Sequence, residues 1–392
     1  MDHLEAAMCY VGSFYVPQAP TPALGLEAEK SVNSMSCPRD GFKVQAMLLL
    51  AIGLDGFGNQ EKALEILGEA QNLALELGMH RHEFTSVNGS VLGVLEESWR
   101  RTWWELYAVD RMIAGVHRKS PFRMNETAAD VALPCEEKEY FSENIPQSHF
   151  IEDFDDKALT GDDINFSSYA YRIAAVRNLG RVLKLQQITF LDDPIIDRID
   201  SHLVNWKLHL PYSKKSLLDN EGQLDEMLFQ AHMVTEVATI LLHRTHSQLD
   251  STPTQPIISC APHHPVPSGQ NYSLHAPLTI SSAVSITKLI TLPYPLNKAH
   301  PFLHLRHNSR INPLNTGALK TLWEVWPCAG RAWEQVSGVV KEIFNAKKAA
   351  VEAELWGNFV EDEAMGVSLE GESMIDEFQL ASLWCGQNSG GI

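Results

Sequence analysis

The fold of this chain is decided by one stretch, Glu96-Glu97-Ser98-Trp99-Arg100-Arg101-Thr102-Trp103-Trp104-Glu105-Leu106-Tyr107-Ala108-Val109-Asp110-Arg111. A single face of a long helix, ending near Gly115, would carry Trp99, Trp103, Leu106, Tyr107, Asp110, Ile113 and Ala114. Because Asp110 shares that face with the tryptophans, we expect it to be partly buried, with an arginine as its partner. Glu97, Arg101 and Glu105 are spaced four residues apart, which predicts a ladder of ion pairs on another face, worth a few tenths of a kcal/mol per pair if that face is exposed.

These residues resemble the signature of the fungal-specific transcription factor domain, the regulatory middle region of fungal zinc-cluster transcription factors. The shared features are an arginine pair, a double tryptophan, a leucine-tyrosine step and an aspartate-arginine pair, followed by a proline and later by a leucine-proline step. Upstream, the segment 70–81 is similar to a family helix that ends in leucine-glycine-leucine-histidine-arginine. The signature positions, which the resemblance makes structural, are Gly78, His80, Arg81, Arg100, Arg101, Trp103, Trp104, Tyr107, Asp110, Arg111, Pro121 and Pro134. One departure is Lys119-Ser120-Pro121, where the family usually has glycine-arginine-proline.

The resemblance extends over residues 1 to about 245 and implies an all-α, multi-helix regulatory domain. It also implies a nuclear protein that controls transcription together with other transcription factors or coactivators, by sensing a small-molecule effector or by holding an activation segment inactive. A ligand-sensing or protein-interaction module without a direct role in transcription, and without nuclear localisation, is the alternative.

Apolar periodicity, proline content and charge divide the chain into four parts. They are a helical part at 1–250, which the resemblance makes the regulatory domain, a proline-rich linker or insertion at 251–278, a further helical part of the same domain at 279–360 and an acidic tail at 361–392. Predicted helices of the first part cover 2–16, 34–54, a segment capped by Asn59 and closed by Gly78, 167–187, 194–208 and 224–242. Beyond the prolines, helical patterning returns at 280–292 and 318–350. The apolar face of the latter consists of Leu322, Val325, Trp326, Ala329, Trp333 and Val336. The segment 136–163 is rich in acidic residues, and we interpret it as a solvated loop.

The net charge of −18 argues against direct DNA contact by this chain, since a DNA-binding face must neutralise phosphates. The densest basic stretch, from Arg100 to Arg123, is threaded with large apolar residues. Its arginines are therefore expected to pair with Asp110 and the neighbouring glutamates. The N-terminus lacks the features of a signal peptide, and the longest apolar run is far shorter than the roughly 20 residues of a membrane span. We therefore expect an intracellular protein, nuclear or otherwise cytoplasmic, with no membrane partner.

The six cysteines are widely scattered and none forms a C-x-x-C pair, so local spacing builds no zinc site. Reduced, mostly buried thiols are the expectation. Zinc would be required only if a cysteine cluster preceded this sequence in a longer product. Either such a product or a partner protein would supply the DNA contact. We also find no motif for nucleophilic, metal-dependent or dinucleotide-dependent catalysis and expect neither enzyme activity nor a cofactor.

The acidic tail contains five bulky apolar residues, Ile375, Phe378, Leu380, Leu383 and Trp384. Acidic residues interleaved with bulky apolar ones are typical of activation segments that fold into a coactivator groove. An alternative interpretation is a C-terminal helix that docks on the core of the protein itself. Both interpretations stay open at this point.

Overall fold

The structure, a computed structural model, describes residues 3–89, 93–117, 127–160, 164–185, 194–219, 221–244 and 272–290, together with the single positions 124, 247, 292 and 334. Over these residues the chain forms twelve α-helices and no β-strand, which confirms the all-α prediction. The helices are α1 His3–Ser13, α2 Thr21–Val32, α3 Gly41–Gly56, α4 Gln60–Glu76, α5 His82–Asn88, α6 Val94–His117, α7 Glu137–Phe141, α8 Ile151–Thr160, α9 Ser168–Leu183, α10 Pro194–Leu208, α11 Glu226–His243 and α12 Tyr272–Ile290. None of the helices in these ranges is long and apolar enough to cross a membrane.

Helix α6 links two groups of helices. It contacts α3, α4 and α5 on one side and α9 on another, while α1 and α2 pack with α3, and α11 packs with both α9 and α12. Three tryptophans of α6, Trp99, Trp103 and Trp104, are buried, so the long helix predicted from its apolar spacing is confirmed as the centre of the core.

The N-terminal helices differ from the prediction in two places. The sequence does not predict helix α2, because prolines at positions 17, 20 and 22 are typical of a break between helices. A proline in the first turn is compatible with a helix, however, since its missing N–H would have no partner there. Helix α3 begins at Gly41 rather than at residue 34, because Pro38 disfavours helical backbone at Cys37 and the Asp40 side chain accepts a hydrogen bond from the Lys43 N–H as the N-cap. Phe42, in the first turn of α3, is exposed although the apolar pattern of this segment favours an inward position, and its ring packs edge-on against Trp99.

Helix α4 ends as predicted but starts differently. Gly78 follows it with a φ of +77°, the left-handed conformation that favours glycine after a helix. Asn59 occupies the N-cap position, as expected, but its side chain makes no capping hydrogen bond.

The acidic segment 136–163 is not a plain solvated loop, because it contains α7 and α8. Glu136 and Glu139 form a capping box at the start of α7, so these acids stabilise a helix N-terminus. In α8, Phe154 is buried and its ring packs edge-on against Phe166 and Tyr171, which ties the helix to the core.

The predicted proline-rich linker at 251–278 extends too far, since α12 begins at Tyr272 and contains Pro277. This proline lies near the start of the helix, where it removes a single backbone hydrogen bond, and the neighbouring Ala276 is buried. Residues 251–270, the greater part of 279–360 beyond α12, and the tail at 361–392 lie outside the described residues. The predicted division of the chain into four parts therefore stays a prediction.

Candidate functional site

The centre of the signature region is the carboxylate of Glu97. Its side chain is 0 % exposed, and it accepts hydrogen bonds from Arg100 Nε at 2.9 Å and from Arg101 Nε at 2.8 Å. The predicted ion pair between Glu97 and Arg101 is present, but Glu97 is buried, so this part of the ladder does not lie on an exposed face. The prediction that the arginines of this stretch pair with carboxylates is confirmed for Arg100 and Arg101.

Glu97 and Arg101 also hold the extended segment 127–136 against α6. The backbone N–H of Cys135 donates to Glu97 Oε1 at 3.0 Å, and Arg101 Nη2 donates to the Cys135 carbonyl at 3.0 Å. One helical turn further, Trp104 Nε1 donates to the Ala132 carbonyl at 3.0 Å. Burial and the adjacent Glu97 carboxylate raise the pKa of the Cys135 thiol to about 12, so this thiol stays protonated at neutral pH.

A second ion pair joins α6 to α9. Arg172, which is buried, donates two hydrogen bonds to the Glu105 carboxylate, at 2.6 and 2.8 Å. The Tyr169 hydroxyl donates to the same carboxylate at 2.6 Å. Burial alone would raise the pKa of Glu105, but the charge and hydrogen bonds of Arg172 hold it below its usual value. The pair is therefore fully ionised at neutral pH, and its two-pronged geometry fixes the register of the two helices.

Asp110 is buried, more deeply than the sequence predicted. Gln71 of α4 donates to Asp110 Oδ1 at 2.8 Å. Arg111 Nη1 lies 4.0 Å from the other carboxylate oxygen, which agrees with the predicted arginine partner, although the glutamine was not foreseen. The Arg111 guanidinium stacks on the Tyr107 ring, 3.3 Å from its centre.

The upstream motif meets the signature helix around Trp103, which is completely buried. The His80 ring lies 6.0 Å from that of Trp103, and the His80 carbonyl accepts a hydrogen bond from the Asp130 N–H at 2.9 Å. Arg81 Nε lies 3.3 Å from His80 Nε2. Together with the Glu97 contacts, the His80 carbonyl holds the segment 127–136 at two separate points, Asp130 and Cys135. His80, Glu97, Arg101 and Trp104 thus act as a clamp on this segment.

A cleft of about 380 Å³ opens beside the clamp. It is lined by Leu133, Pro134, Cys135, Glu136, Glu139, Pro146, Gln147, Ser148, His149, Asn165, Phe166, Ser167, Ala170, Ser213 and Lys214. Its volume lies in the range of small-molecule sites, and its wall mixes apolar and charged groups.

Lys214 forms the polar floor of this cleft. Its Nζ lies 2.5 Å from Glu136 Oε1, 2.5 Å from the Ser168 hydroxyl and 3.6 Å from Asp225 Oδ2. The Ser168 hydroxyl in turn donates to the Asp225 carboxylate, which also caps α11 by accepting from the Leu228 N–H. The wall of the cleft is therefore connected through one polar network to the start of α11.

A separate buried cluster joins α10, α11 and α12. His243 Nδ1 lies 2.8 Å from His275 Nδ1, and His243 Nε2 lies 3.0 Å from Asp200 Oδ1. Since two donors cannot share the Nδ1–Nδ1 contact, the pair holds at most one positive charge while that hydrogen bond exists.

The sequence did not single out Glu105 as a partner of Arg172, nor did it identify Lys214 or the histidine pair. A signal was present for Arg172, a lone charged residue in the apolar run that begins α9. Pro121 and the tail residues Ile375, Phe378, Leu380, Leu383 and Trp384 lie outside the described residues.

The described cysteines are more accessible than predicted. Cys9 is exposed, while Cys37 and Cys135 are partly buried. Among the described residues, no group of three or more histidine, cysteine, aspartate or glutamate side chains is placed to hold a metal ion.

Comparison with known proteins places this geometry in context. Residues 5–207 match the fungal specific transcription factor domain. Over 401 aligned residues, the chain is 40% identical to the C6 finger domain transcription factor iacK of Pestalotiopsis fici, with 96% of this chain aligned. It is 23% identical over 206 residues to the uncharacterized transcriptional regulatory protein C3C7.04 of Schizosaccharomyces pombe, with 51% of this chain aligned.

The chain spans only part of these relatives, 60% of the length of the first and 24% of the second. No solved structure matches it.

Proposed function

The chain belongs to the family of the fungal specific transcription factor domain, and on this premise we propose that it is the regulatory region of a transcriptional regulator. The observation that carries the proposal is the alignment of 96% of the chain, at 40% identity, with a C6 finger domain transcription factor. The name of that relative includes a finger, whereas the cysteines of this chain are too far apart to build one by local spacing. DNA contact therefore comes from another module, in a longer product or in a partner transcription factor.

Such a protein acts in the nucleus and transmits its output through coactivators or other transcription factors. The acidic tail with Ile375, Phe378, Leu380, Leu383 and Trp384 has the composition of the segment that would contact them.

The cleft beside the clamp is the proposed site of regulatory input. Glu136 and Lys214 offer hydrogen-bonding groups of both charges, and Phe166 offers an aromatic wall. This wall suits a small polar molecule that both donates and accepts hydrogen bonds. Since Lys214 is bonded to Ser168, which is bonded to the N-cap Asp225, a ligand that displaced Lys214 would alter the start of α11.

The transcriptional role is tested by tagging the gene product in its own organism and measuring nuclear localisation, promoter occupancy and transcript levels after gene deletion. We expect the tagged protein in the nucleus, at a limited set of promoters whose transcripts change when the gene is deleted. A protein that stays in the cytoplasm, with an unchanged transcriptome on deletion, would instead be an interaction or sensing module without a role in transcription. The intact mass of the same tagged protein separates the two sources of DNA contact, since a mass near 43.8 kDa plus the tag requires a partner.

The cleft is tested separately with a variant that fills it. Ser148→Trp places a large ring in the cleft, whereas the exposed Asn144 belongs to the same connection between α7 and α8 but does not line the cleft. We expect Ser148→Trp to remove the condition-dependent change in target transcripts while promoter occupancy persists, and Asn144→Trp to behave like the native protein. A full response in Ser148→Trp would exclude the cleft as the input site and leave the transcriptional role intact.

A further inference from the structure

Helix α12 has an inverted distribution of polar and apolar residues. The side that faces the protein buries His275, Thr279 and Ser282 beside a single small apolar residue, Ala276. Its exposed side carries four large apolar residues, which we call the outward face: Leu274, Leu278, Ile280 and Val284. In a surface helix the apolar residues normally point to the core and the polar ones to water.

The outward face is too concentrated to be ordinary surface. Single exposed apolar residues are common in soluble proteins, but here two of the four, Leu274 and Ile280, expose more than half of their surface on one helix, at 65 % and 53 %. Large apolar residues concentrated on the exposed face of one helix commonly mark an interaction surface. Helix α11 contacts α12 on one side. The other side is therefore expected to have an occupant.

The chain itself carries a matching segment. Some 26 positions beyond Leu292, the sequence resumes a helical pattern whose apolar face consists of Leu322, Val325, Trp326, Ala329, Trp333 and Val336. Glu334, which is polar and adjacent to that face, is described by the structure as helical and exposed. Two tryptophans in one stripe need a surface to cover them.

We propose that the outward face of α12 is the docking surface for residues 318–336 of the same chain. The connection of roughly 26 residues can reach about 85 Å when extended, so it places no restriction on the docking geometry. A tethered segment also experiences an effective concentration in the millimolar range, which makes a small contact sufficient.

The size of the surface favours this occupant over a second copy of the chain. Stable interfaces between separate proteins engage roughly 20 to 30 residues on each side. The outward face offers four large apolar residues, with Ser281 and Lys288 between and beside them. That area is suited to one helix delivered by a tether.

The test uses the full chain and hydrogen–deuterium exchange measured by mass spectrometry. Val284→Glu introduces a charge in the outward face, and because Val284 is 49 % exposed, the substitution does not disturb the core beneath it. Met35→Glu is the matched control, since it makes the same kind of change at an exposed apolar residue outside α12. Val284→Ala is a milder second variant that retains the neutral surface.

In the native chain we expect peptides within 318–336 to be protected from exchange. Val284→Glu is expected to accelerate their exchange at least about tenfold, as the loss of one buried aliphatic contact predicts, with Val284→Ala intermediate and Met35→Glu unchanged. Native exchange at the rate of an unfolded peptide, or equal protection in Val284→Glu, would overturn the proposal. So would a native dimer that Val284→Glu converts to a monomer without any change in the exchange of 318–336, because the occupant would then be a second copy.

Discussion

Helices α6 and α12 differ in which kinds of residue they bury and which they expose. Helix α6 buries charged as well as apolar groups, and Glu97 finds donors within the described protein in Arg100, Arg101 and the Cys135 backbone. Helix α12 buries polar side chains and exposes large apolar ones. The first is a completed element of the core, whereas the second is completed only by a further partner.

The two helices also differ in how they are attached. Arginine and glutamate join α6 to its neighbours, and the Arg172–Glu105 pair keeps its charges over the physiological pH range. A pair of imidazoles, His243 and His275, joins α12 to α11. Because burial lowers the pKa of His275 below 6.5, the attachment of α12 is conditional on pH, whereas the Arg172–Glu105 attachment of α6 is permanent. The family signature thus coincides with the permanent part of the domain, which fits a structural rather than a ligand-binding role for it.

The largest effect should come from Trp103→Ala, which opens a cavity at a completely buried ring of α6. We expect the free energy of unfolding in urea to fall by about 3–5 kcal/mol. The comparable truncation on α12, Leu278→Ala, removes a side chain of the outward face that one tethered segment covers, and we expect a smaller loss of about 1–2 kcal/mol. If both variants lost the same free energy of unfolding, α12 would be as tightly packed as α6, and the distinction between the two helices would be wrong.

Glu97→Gln should have the next largest effect. The substitution leaves Arg100 and Arg101 without their charge partner in a buried position, and we expect a loss of about 3 kcal/mol in the free energy of unfolding. Glu96→Gln is the matched control on the preceding position, because Glu96 is partly exposed and lies 3.7 Å from Arg100. This exposed pair is worth about 0–1 kcal/mol.

The outcome that contradicts this prediction is a Glu97→Gln protein as stable as the Glu96→Gln protein. In that case neutral hydrogen bonds to the Cys135 N–H and the arginines suffice, and charge makes no net contribution to the clamp.

Local pattern predicted the helices of this domain well where a single apolar face decides the structure. The spacing of Trp99, Trp103 and Leu106 was sufficient to place α6, and Pro194 marked the start of α10. Local pattern failed where a residue type that is typical of a loop or turn is also favourable at the start of a helix. Pro22 lies in the first turn of α2 although proline usually ends a helix, and Glu136 is the N-cap of α7 although it opens an acidic run.

The burial of Glu97 could not be predicted from the local sequence pattern. Its spacing to Arg100 and Arg101 is visible, and so the ion pairs were predicted. Its burial depends on the Cys135 segment, 38 residues away, and nothing in the local spacing indicates that this segment returns to α6. The same applies to the cleft, whose wall combines residues near 133–149, 165–170 and 213–214. Contacts of that separation follow from the complete fold, not from any one helix.

The smallest predicted effect concerns pH and separates the two attachments directly. Burial is the main cause that lowers the pKa of His275 below 6.5, and repulsion from His243 adds to it, while Asp197 and Asp200 act in the opposite direction. The folded protein therefore binds this proton less tightly than the unfolded chain does. Stability contributed by neutral His275 is present above pH 6.5 and is lost as the pH falls below it, by at most about 1.4 kcal/mol down to pH 5.5.

We expect hydrogen exchange, corrected for the intrinsic effect of pH, to show weaker protection of α12 at pH 5.5 than at pH 7.5, with no change in α6. His275→Gln retains a group that can hydrogen-bond to His243 Nδ1 but carries no proton to gain, so the pH dependence of α12 should be reduced in this variant. If α12 in the native chain is equally protected at both pH values, the imidazole pair is not what holds it. The covering of its outward face would then dominate its attachment, and α12 would be as permanent a part of the core as α6.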